Sequence, residues 1–216
     1  MSQSISARSP IPAYLVPTPV GARFAISAAE PDPRRGVLNA LLRGGSSRPM
    51  PLAMLAEVSG VNDRKALGAI LFNLQRDGWI SGEVEPLTVA HEPLGAAVPP
   101  LLEALSSTGH GVLADDKGLC YAFAGYARAD AERLAAFSSS TYPLLRQYRE
   151  FPGLVATDQP PAWALLDEAT GVQLTIMPLF VGGHLFHLSL AGTPREDSPA
   201  LIKLAALLLR RYVGTC

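Results

Sequence analysis

The side chains that could do chemistry are few and poorly placed to act together. His184 and His187 are the best candidate metal ligands, but on a predicted strand residues three apart point to opposite faces and cannot grip one ion. Asp115 and Asp116 are adjacent carboxylates in a predicted tight turn. Aspartate is common in turns because its side chain hydrogen-bonds to the nearby backbone, and this role alone explains both residues. We therefore predict no metal-binding residue at either pair.

Two further features have the residue types of a nucleophile. Ser138–Thr141 places hydroxyls within a predicted helix, where they compete for backbone hydrogen bonds, so a weakened turn or a small packing face is favoured. Cys120, on a predicted strand, is interpreted as a small buried hydrophobe. The chain has no Gly-x-x-x-x-Gly-Lys-Ser/Thr phosphate loop and no Gly-x-Ser-x-Gly elbow. The sequence predicts a protein that is not an enzyme, without catalytic residues or a cofactor.

Composition narrows the class of protein. The 216 residues are 48% hydrophobic and 17% charged, with a net charge of −1, which excludes wholesale disorder and a global polycation. Two cysteines are too few for a disulfide scaffold. The longest apolar run near the C-terminus, Leu204–Leu209, is far short of the ~20 residues of a membrane span, and the N-terminus does not resemble a secretory signal. We expect a cytoplasmic protein.

Changes in proline content and in the predicted secondary-structure pattern divide the chain into residues 1–32, 33–92 and 93–216. Residues 1–32 contain five prolines, which remove backbone donors and disfavour helical geometry in the preceding residues. This part is predicted to be an extended arm, in which the alternating segment Arg23–Ser27 could add one edge strand.

Residues 33–92 are predicted to form three short helices and a ribbon. Asp32-Pro33 opens the first helix, Pro51 opens the second, and Asn62 caps a third that runs from Asp63 to Asp77. The ribbon is predicted from Trp79-Ile80, a Ser81-Gly82 turn, and Glu83–Ala90. The stretch LAMLAEVSGVNDRKALGAILFNLQRDGWI, residues 52–80, resembles a winged helix-turn-helix domain.

The third helix of this domain has two distinct faces. Its predicted buried face consists of Leu67, Ile70, Leu71 and Leu74, and the opposite face carries Lys65, Gly68, Ala69, Phe72 and Arg76. Base readers are usually Arg, Lys, Asn, Gln or Ser, and this face is instead glycine, alanine and phenylalanine at its middle. We favour a protein-docking surface that uses Lys65, Phe72 and Arg76. The alternative is that the Phe72 ring packs under the wing, which is the predicted ribbon of residues 79–90, or under the arm of residues 1–32.

DNA binding is the alternative function of this domain. Arg64 and Lys65 at the start of the third helix could touch phosphate, and Arg34 and Arg35 could add to a basic cluster. Residues 1–92 contain nine basic and eight acidic residues, a net charge of +1, so the electrostatic attraction to a phosphate backbone is weak.

Residues 93–216 are predicted to be an α+β unit with the order α-β-β-α-β-β-β-α. Two positions carry specific expectations: Pro143 should kink or interrupt the long helix that Asp130 opens, and Pro178 should lie at a sheet edge or a bulge. The predicted elements are a helix from Pro99 to Ser107, strands at Gly111–Ala114, Leu119–Ala124, Ala162–Glu168, Val172–Phe180 and His184–Ala191, and a closing helix from Ser198 to Tyr212.

This order, with the segments GHGVLADDKGLCYAFAG (109–125), AERLAAF (131–137) and LTIMPLFVGGHLFHLSLAG (174–192), resembles the roadblock/LC7 family. The resemblance implies a five-stranded antiparallel sheet with helices and a non-enzymatic homodimer. It implies that the sheets join at the strand Ala162–Glu168, that the helices opened by Asp130 pair across the dimer axis, and that the partner is a small Ras-like GTPase. The expected function is a dimeric scaffold for a GTPase or another signalling or motility protein. The alternative is a winged-helix transcription regulator with a C-terminal dimerisation or ligand-sensing domain.

Overall fold

The computed structural model describes residues 14–44, 51–89, 93–148 and 162–214, which form eight helices and seven strands. In chain order the elements are β1 (Tyr14–Pro17), α1 (Pro19–Ala25), α2 (Pro33–Gly44), α3 (Leu52–Ser59), α4 (Arg64–Arg76), β2 (Ile80–Glu83), α5 (Leu94–Ala97), α6 (Pro99–Leu105), β3 (Gly111–Asp115), β4 (Cys120–Ala124), α7 (Arg128–Tyr148), β5 (Trp163–Asp167), β6 (Gly171–Val181), β7 (His184–Ala191) and α8 (Pro199–Tyr212).

The segment before α2 differs from the predicted extended arm, of which residues 1–13 lie outside the described residues. The edge strand predicted at Arg23–Ser27 is wrong, because α1 occupies most of that stretch. Thr18 caps this helix by accepting from the backbone N–H of Gly21, and Pro19 stands at the first helical position, where its missing N–H removes no bond. Burial of Phe24 and Ile26 then fixes the helix on the core.

The three helices predicted in residues 33–92 are confirmed as α2, α3 and α4. Asp32 caps α2 through the backbone N–H groups of Arg34 and Arg35. The cap of α4 is Asp63 and not the predicted Asn62, because the Asp63 carboxylate accepts from two backbone N–H groups of the first turn.

The two-stranded ribbon predicted from Trp79 to Ala90 is wrong in its strand pairing. Ile80–Glu83 is one continuous strand that passes through the predicted Ser81-Gly82 turn, and it pairs antiparallel with β1, with Val16 opposite Ser81. The pairing is fixed where α4 ends, because the Thr18 hydroxyl donates to the Gly78 carbonyl oxygen (2.8 Å). The described N-terminal region is therefore helical with a small two-stranded sheet, and a winged helix-turn-helix remains a prediction.

The sheet predicted in residues 93–216 is confirmed. It has five antiparallel strands in the order β4-β3-β7-β6-β5. Of the two alternatives predicted at Pro143, the interruption is wrong, because α7 continues through this residue, whereas the kink stays a prediction. A further short helix, α5, precedes α6 and was not predicted.

Pro178 lies at a local edge of the sheet, although β6 is flanked by two strands. The register of β5 ends opposite Ile176, so no strand among the described residues flanks β6 beyond that point on this side. The end of α1 lies there instead: the Phe180 N–H donates to the Ile26 carbonyl oxygen (2.7 Å), and the buried Arg23 guanidinium donates to the Pro178 carbonyl oxygen (3.5 Å).

The two faces of the sheet are covered differently. Helix α7 contacts β3, β4 and β7 on one face, whereas α6 and α8 cover the other, and α1 and α2 pack on α8. Arg210 of α8 donates to the Leu42 carbonyl oxygen (3.3 Å), and Arg43 of α2 donates to that of Gly214 (2.8 Å). One buried apolar cluster therefore extends from α1 to α8, across the predicted boundary between residues 92 and 93. None of the described helices combines the length and apolarity needed to cross a membrane.

Gly21 should be required for α1 to dock. A Cβ at Gly21 would overlap the Trp79 carbonyl oxygen, so we expect Gly21→Ala to lower the free energy of unfolding by about 2 kcal/mol. Gly68→Ala is the control, because an added Cβ meets no atom within 4 Å, and it should raise that free energy by about 0.5–1 kcal/mol. Urea denaturation measures both, and equal effects would contradict the close approach.

Candidate functional site

The outward face of α4 is exposed as predicted. Lys65, Phe72 and Arg76 are all exposed, and 66% of Phe72 is accessible, so its ring is not covered by the β1–β2 ribbon. Leu67 and Leu74 are buried on the opposite side of the helix. The Arg76 guanidinium pairs with Asp77 (2.8 Å), whose pKa this hydrogen bond lowers.

The basic residues assigned to DNA do not form one open cluster. Arg34 pairs with Asp32 (2.7 Å) and stacks over the rings of Phe24 and Trp79 at 5.0 and 5.7 Å. Arg35 donates to the Phe24 carbonyl oxygen (3.3 Å) and lies 4.8 Å from the centre of that ring. These two arginines hold α1 against α2.

Arg64 and Lys65, the remaining candidates for DNA, are exposed on α4. Asp63 immediately precedes them, and its carboxylate accepts from the Lys65 N–H (3.1 Å). The structure therefore leaves two of the four DNA candidates exposed on one helical turn, beside an acidic cap.

A second exposed surface lies at the free edge of the sheet, on β5. Leu165 is 52% and Leu166 72% exposed, and adjacent strand residues point to opposite faces, so apolar surface is open on both sides of this strand. Helix α7 carries two more exposed apolar side chains, Phe137 and Leu144. Periodicity alone did not reveal this surface, because it depends on β5 being the last strand of the sheet.

The layer between α7 and the sheet contains a buried polar group, the imidazole of His187. His187 is 1% exposed, and its Nε2 has no hydrogen-bond partner among the described residues. Burial lowers the pKa of this imidazole, and the carboxylates of Asp116 and Asp115 only partly oppose that effect. The neighbouring Ser138 and Ser189 hydroxyls satisfy one another at 2.6 Å. The alternation of Phe186, Leu188 and Leu190 with His187 and Ser189 along β7 was the available signal.

The other candidates for chemistry have structural roles. The Asp115 carboxylate accepts from the N–H groups of Lys117 (3.0 Å) and Leu119 (2.8 Å) in the β3–β4 turn. Ser139, Ser140 and Thr141 each donate to a backbone carbonyl three residues earlier, so their hydroxyls are used within α7.

His184 and Cys120 complete the candidates for chemistry. His184 is exposed beside the Tyr212 ring (4.9 Å), and Cys120 is half-buried, with its thiol pKa raised by burial and then by Glu132. In the described parts of the chain no three His, Cys, Asp or Glu side chains cluster in a way that could hold a metal.

Comparisons with known proteins give similarity to solved structures. No protein-family model matches the chain, and no curated protein matches it. The chain is similar to the roadblock/LC7 domain from Streptomyces avermitilis, at 20% identity over 54% of this chain and 93% of that one, with a TM-score of 0.33. It is also similar to Myxococcus xanthus MglB, at 14% identity over 59% of this chain and 91% of that one, with a TM-score of 0.34. Both similarities cover a little over half of this chain.

Burial of His187 should make stability depend on pH. Because the folded state holds this imidazole neutral at a lowered pKa, the unfolded state binds more protons below about pH 6.5, and the free energy of unfolding should fall as the pH drops through that range. We expect His187→Leu to flatten this dependence between pH 7.5 and 5, measured by urea denaturation. His184→Gln, on the same strand but exposed, is the control. An unchanged slope in His187→Leu would contradict a buried neutral imidazole.

Proposed function

We propose that the protein is a non-enzymatic homodimeric scaffold that binds a small Ras-like GTPase or another signalling or motility protein. The observation that supports it best is the exposed edge strand β5 with its two leucines. A sheet edge offers unpaired N–H and C=O groups, and pairing with the same strand of a second copy is the symmetric way to cover them.

The long helix supports the same arrangement. Phe137 and Leu144 lie seven positions apart on α7, so they occupy one stripe of the helix, and both are exposed. We propose that this stripe meets its counterpart across the dimer axis. The resemblance of residues 93–216 to the roadblock/LC7 family implies the same strand and helix.

The dimer is tested by charging the edge strand. Leu166→Lys should weaken dimerisation at least tenfold, because a twofold contact meets the substitution twice and a buried leucine contributes about 1.5–3 kcal/mol. Leu119→Lys is the matched control, since Leu119 is 61% exposed next to the opposite edge strand, β4. Sedimentation equilibrium measures both constants. A monomeric wild type at micromolar concentration, or equal effects of the two substitutions, would overturn the proposed dimer.

The partner is tested in two stages. Affinity capture from nuclease-treated lysate should recover a small GTPase, and the purified GTPase should then bind the full chain with an affinity that differs between its GDP form and a non-hydrolysable GTP form. The chain alone should hydrolyse no GTP. Retention of duplex DNA in untreated lysate, with no protein after nuclease treatment, would favour the transcription regulator instead.

A further inference from the structure

His187 is buried under the second half of α7, residues 138–148, with an unsatisfied nitrogen. Its neighbours on β7, Phe186 and Leu188, belong to the core on the other face of the sheet, so His187 points towards α7. The Tyr142 ring of α7 lies over it, with 5.4 Å between the ring centres. The Nε2 atom of His187 has no hydrogen-bond partner among the described residues. Burying a polar group without a hydrogen bond is unfavourable, so such groups are rare in folded proteins.

The two halves of α7 are held on the sheet by different contacts. In the first half, residues 128–137, Ala131 and Ala135 are fully buried in an apolar cluster with β3. After Ala135, no residue of α7 whose side chain the structure describes belongs to a buried apolar cluster. The second half is held instead by the hydrogen bond between the Ser138 and Ser189 hydroxyls (2.6 Å) and by the Tyr142 ring. The covering of His187 is therefore the less firmly anchored part of the helix.

The helix is also intrinsically weak where its second half begins. Pro143 has no N–H, so the carbonyl of Ser139 lacks its helical hydrogen bond. Ser139, Ser140 and Thr141 donate their hydroxyls to backbone carbonyls three residues earlier, and such bonds compete with the helical ones. Pro143 is exposed, so no core contact fixes it. Releasing the second half therefore costs less free energy than undocking the whole helix.

Protonation of His187 opposes the packing of this half. Burial lowers the pKa of His187, because the imidazolium loses its contact with water. β3 and the turn after it supply the carboxylates of Asp115 and Asp116, which only partly oppose that effect. From the other elements packed against the imidazole, α7 supplies the phenol of Tyr142 and β6 the uncharged Pro178. The ion pairs of α7 are exposed in its first turns, away from His187.

We propose that His187 is a pH switch for α7: its protonation releases residues 138–148 from the sheet, while residues 128–137 stay docked. The release returns the imidazolium to water at the part of the helix with the fewest apolar contacts. Leu144 lies in the released half and on the exposed stripe of α7, so acidification also weakens the dimer. Only this last consequence rests on the proposed function, because the release of the helix does not require a second copy of the chain.

Amide hydrogen exchange of the full chain at pH 7.5 and 5.0, corrected for the intrinsic pH dependence of exchange, tests the switch. Protection of residues 142–148 should fall at least fivefold at pH 5.0, because a solvated histidine takes up its proton near pH ~6.5 and the buried one does so only at lower pH. Protection of residues 128–137 should change less than twofold. His187→Leu should remove the difference between the two pH values. His184→Gln, an exposed histidine of the same strand, is the matched control and should behave as the wild type.

The weak point of the helix is tested separately by Pro143→Ala. Alanine restores the missing N–H and favours the helix, and it removes no core contact because Pro143 is exposed. This variant should raise the protection of residues 142–148 at least fivefold at both pH values. Pro100→Ala, an exposed proline in the first turn of α6, is the control and should leave α7 unchanged. Unchanged protection in Pro143→Ala would contradict a weak point at this residue.

Three results would overturn the switch: no loss of protection at pH 5.0, an equal loss in both halves of α7, or the same loss in His187→Leu. Sedimentation equilibrium on the same samples reports the dimer, which should weaken at least fivefold at pH 5.0 in the wild type and not in His187→Leu. A monomer at both pH values contradicts the proposed function, whereas a dimer whose α7 keeps its protection at pH 5.0 contradicts the switch alone.

Discussion

Helix α8 has to be buried on two sides at once, and the rest of the fold is arranged around that requirement. Apolar residues surround its axis, and Leu204, Ala205, Leu207 and Leu209 are all buried although they point in different directions. The sheet and α6 cover one side of the helix, and α1 and α2 cover the other. Each buried leucine contributes about 1.5–3 kcal/mol, so removing either cover would expose several such contributions. The N-terminal helices therefore complete the core of the sheet domain.

This constraint determines which surfaces remain available for partners. Because α1 and α2 occupy the outer side of α8, that side of the sheet is closed, and the surfaces proposed for the dimer lie elsewhere, on β5 and on the outer stripe of α7. Arg43 and Arg210 bond to carbonyls at each other's helix ends and tie α2 to α8. The N-terminal helices and the sheet thus share one packed core.

Local signals in the sequence were sufficient for the strands and hairpins of the sheet and insufficient for the segment before α2. Turns such as Gly182-Gly183 join strands that are neighbours in the chain, and three of the four strand pairings are such hairpins. The fourth pairing, of β3 with β7, joins residues more than seventy positions apart, and no local pattern indicates it. The partner of β2 lies more than sixty residues earlier, and no local pattern indicates that pairing. The Thr18-Pro19 cap was readable, but the surrounding prolines favoured an extended arm. Likewise, periodicity predicted the exposed face of α4, whereas the exposed edge at β5 depends on the order of the strands in the sheet.

The two edges of the sheet differ in a way that bears on function. β4 has a helix on each of its faces, α6 and α7, and also contacts α5, so most of its side chains are at least partly covered. β5 is exposed from Ala164 to Asp167, yet it lacks the lysine or proline that commonly protects a free edge, and its only charge is the terminal Asp167. Soluble proteins rarely leave such apolar surface uncovered without a use for it. An edge with two exposed leucines and no protecting charge between them is the surface expected of a strand that pairs with another chain.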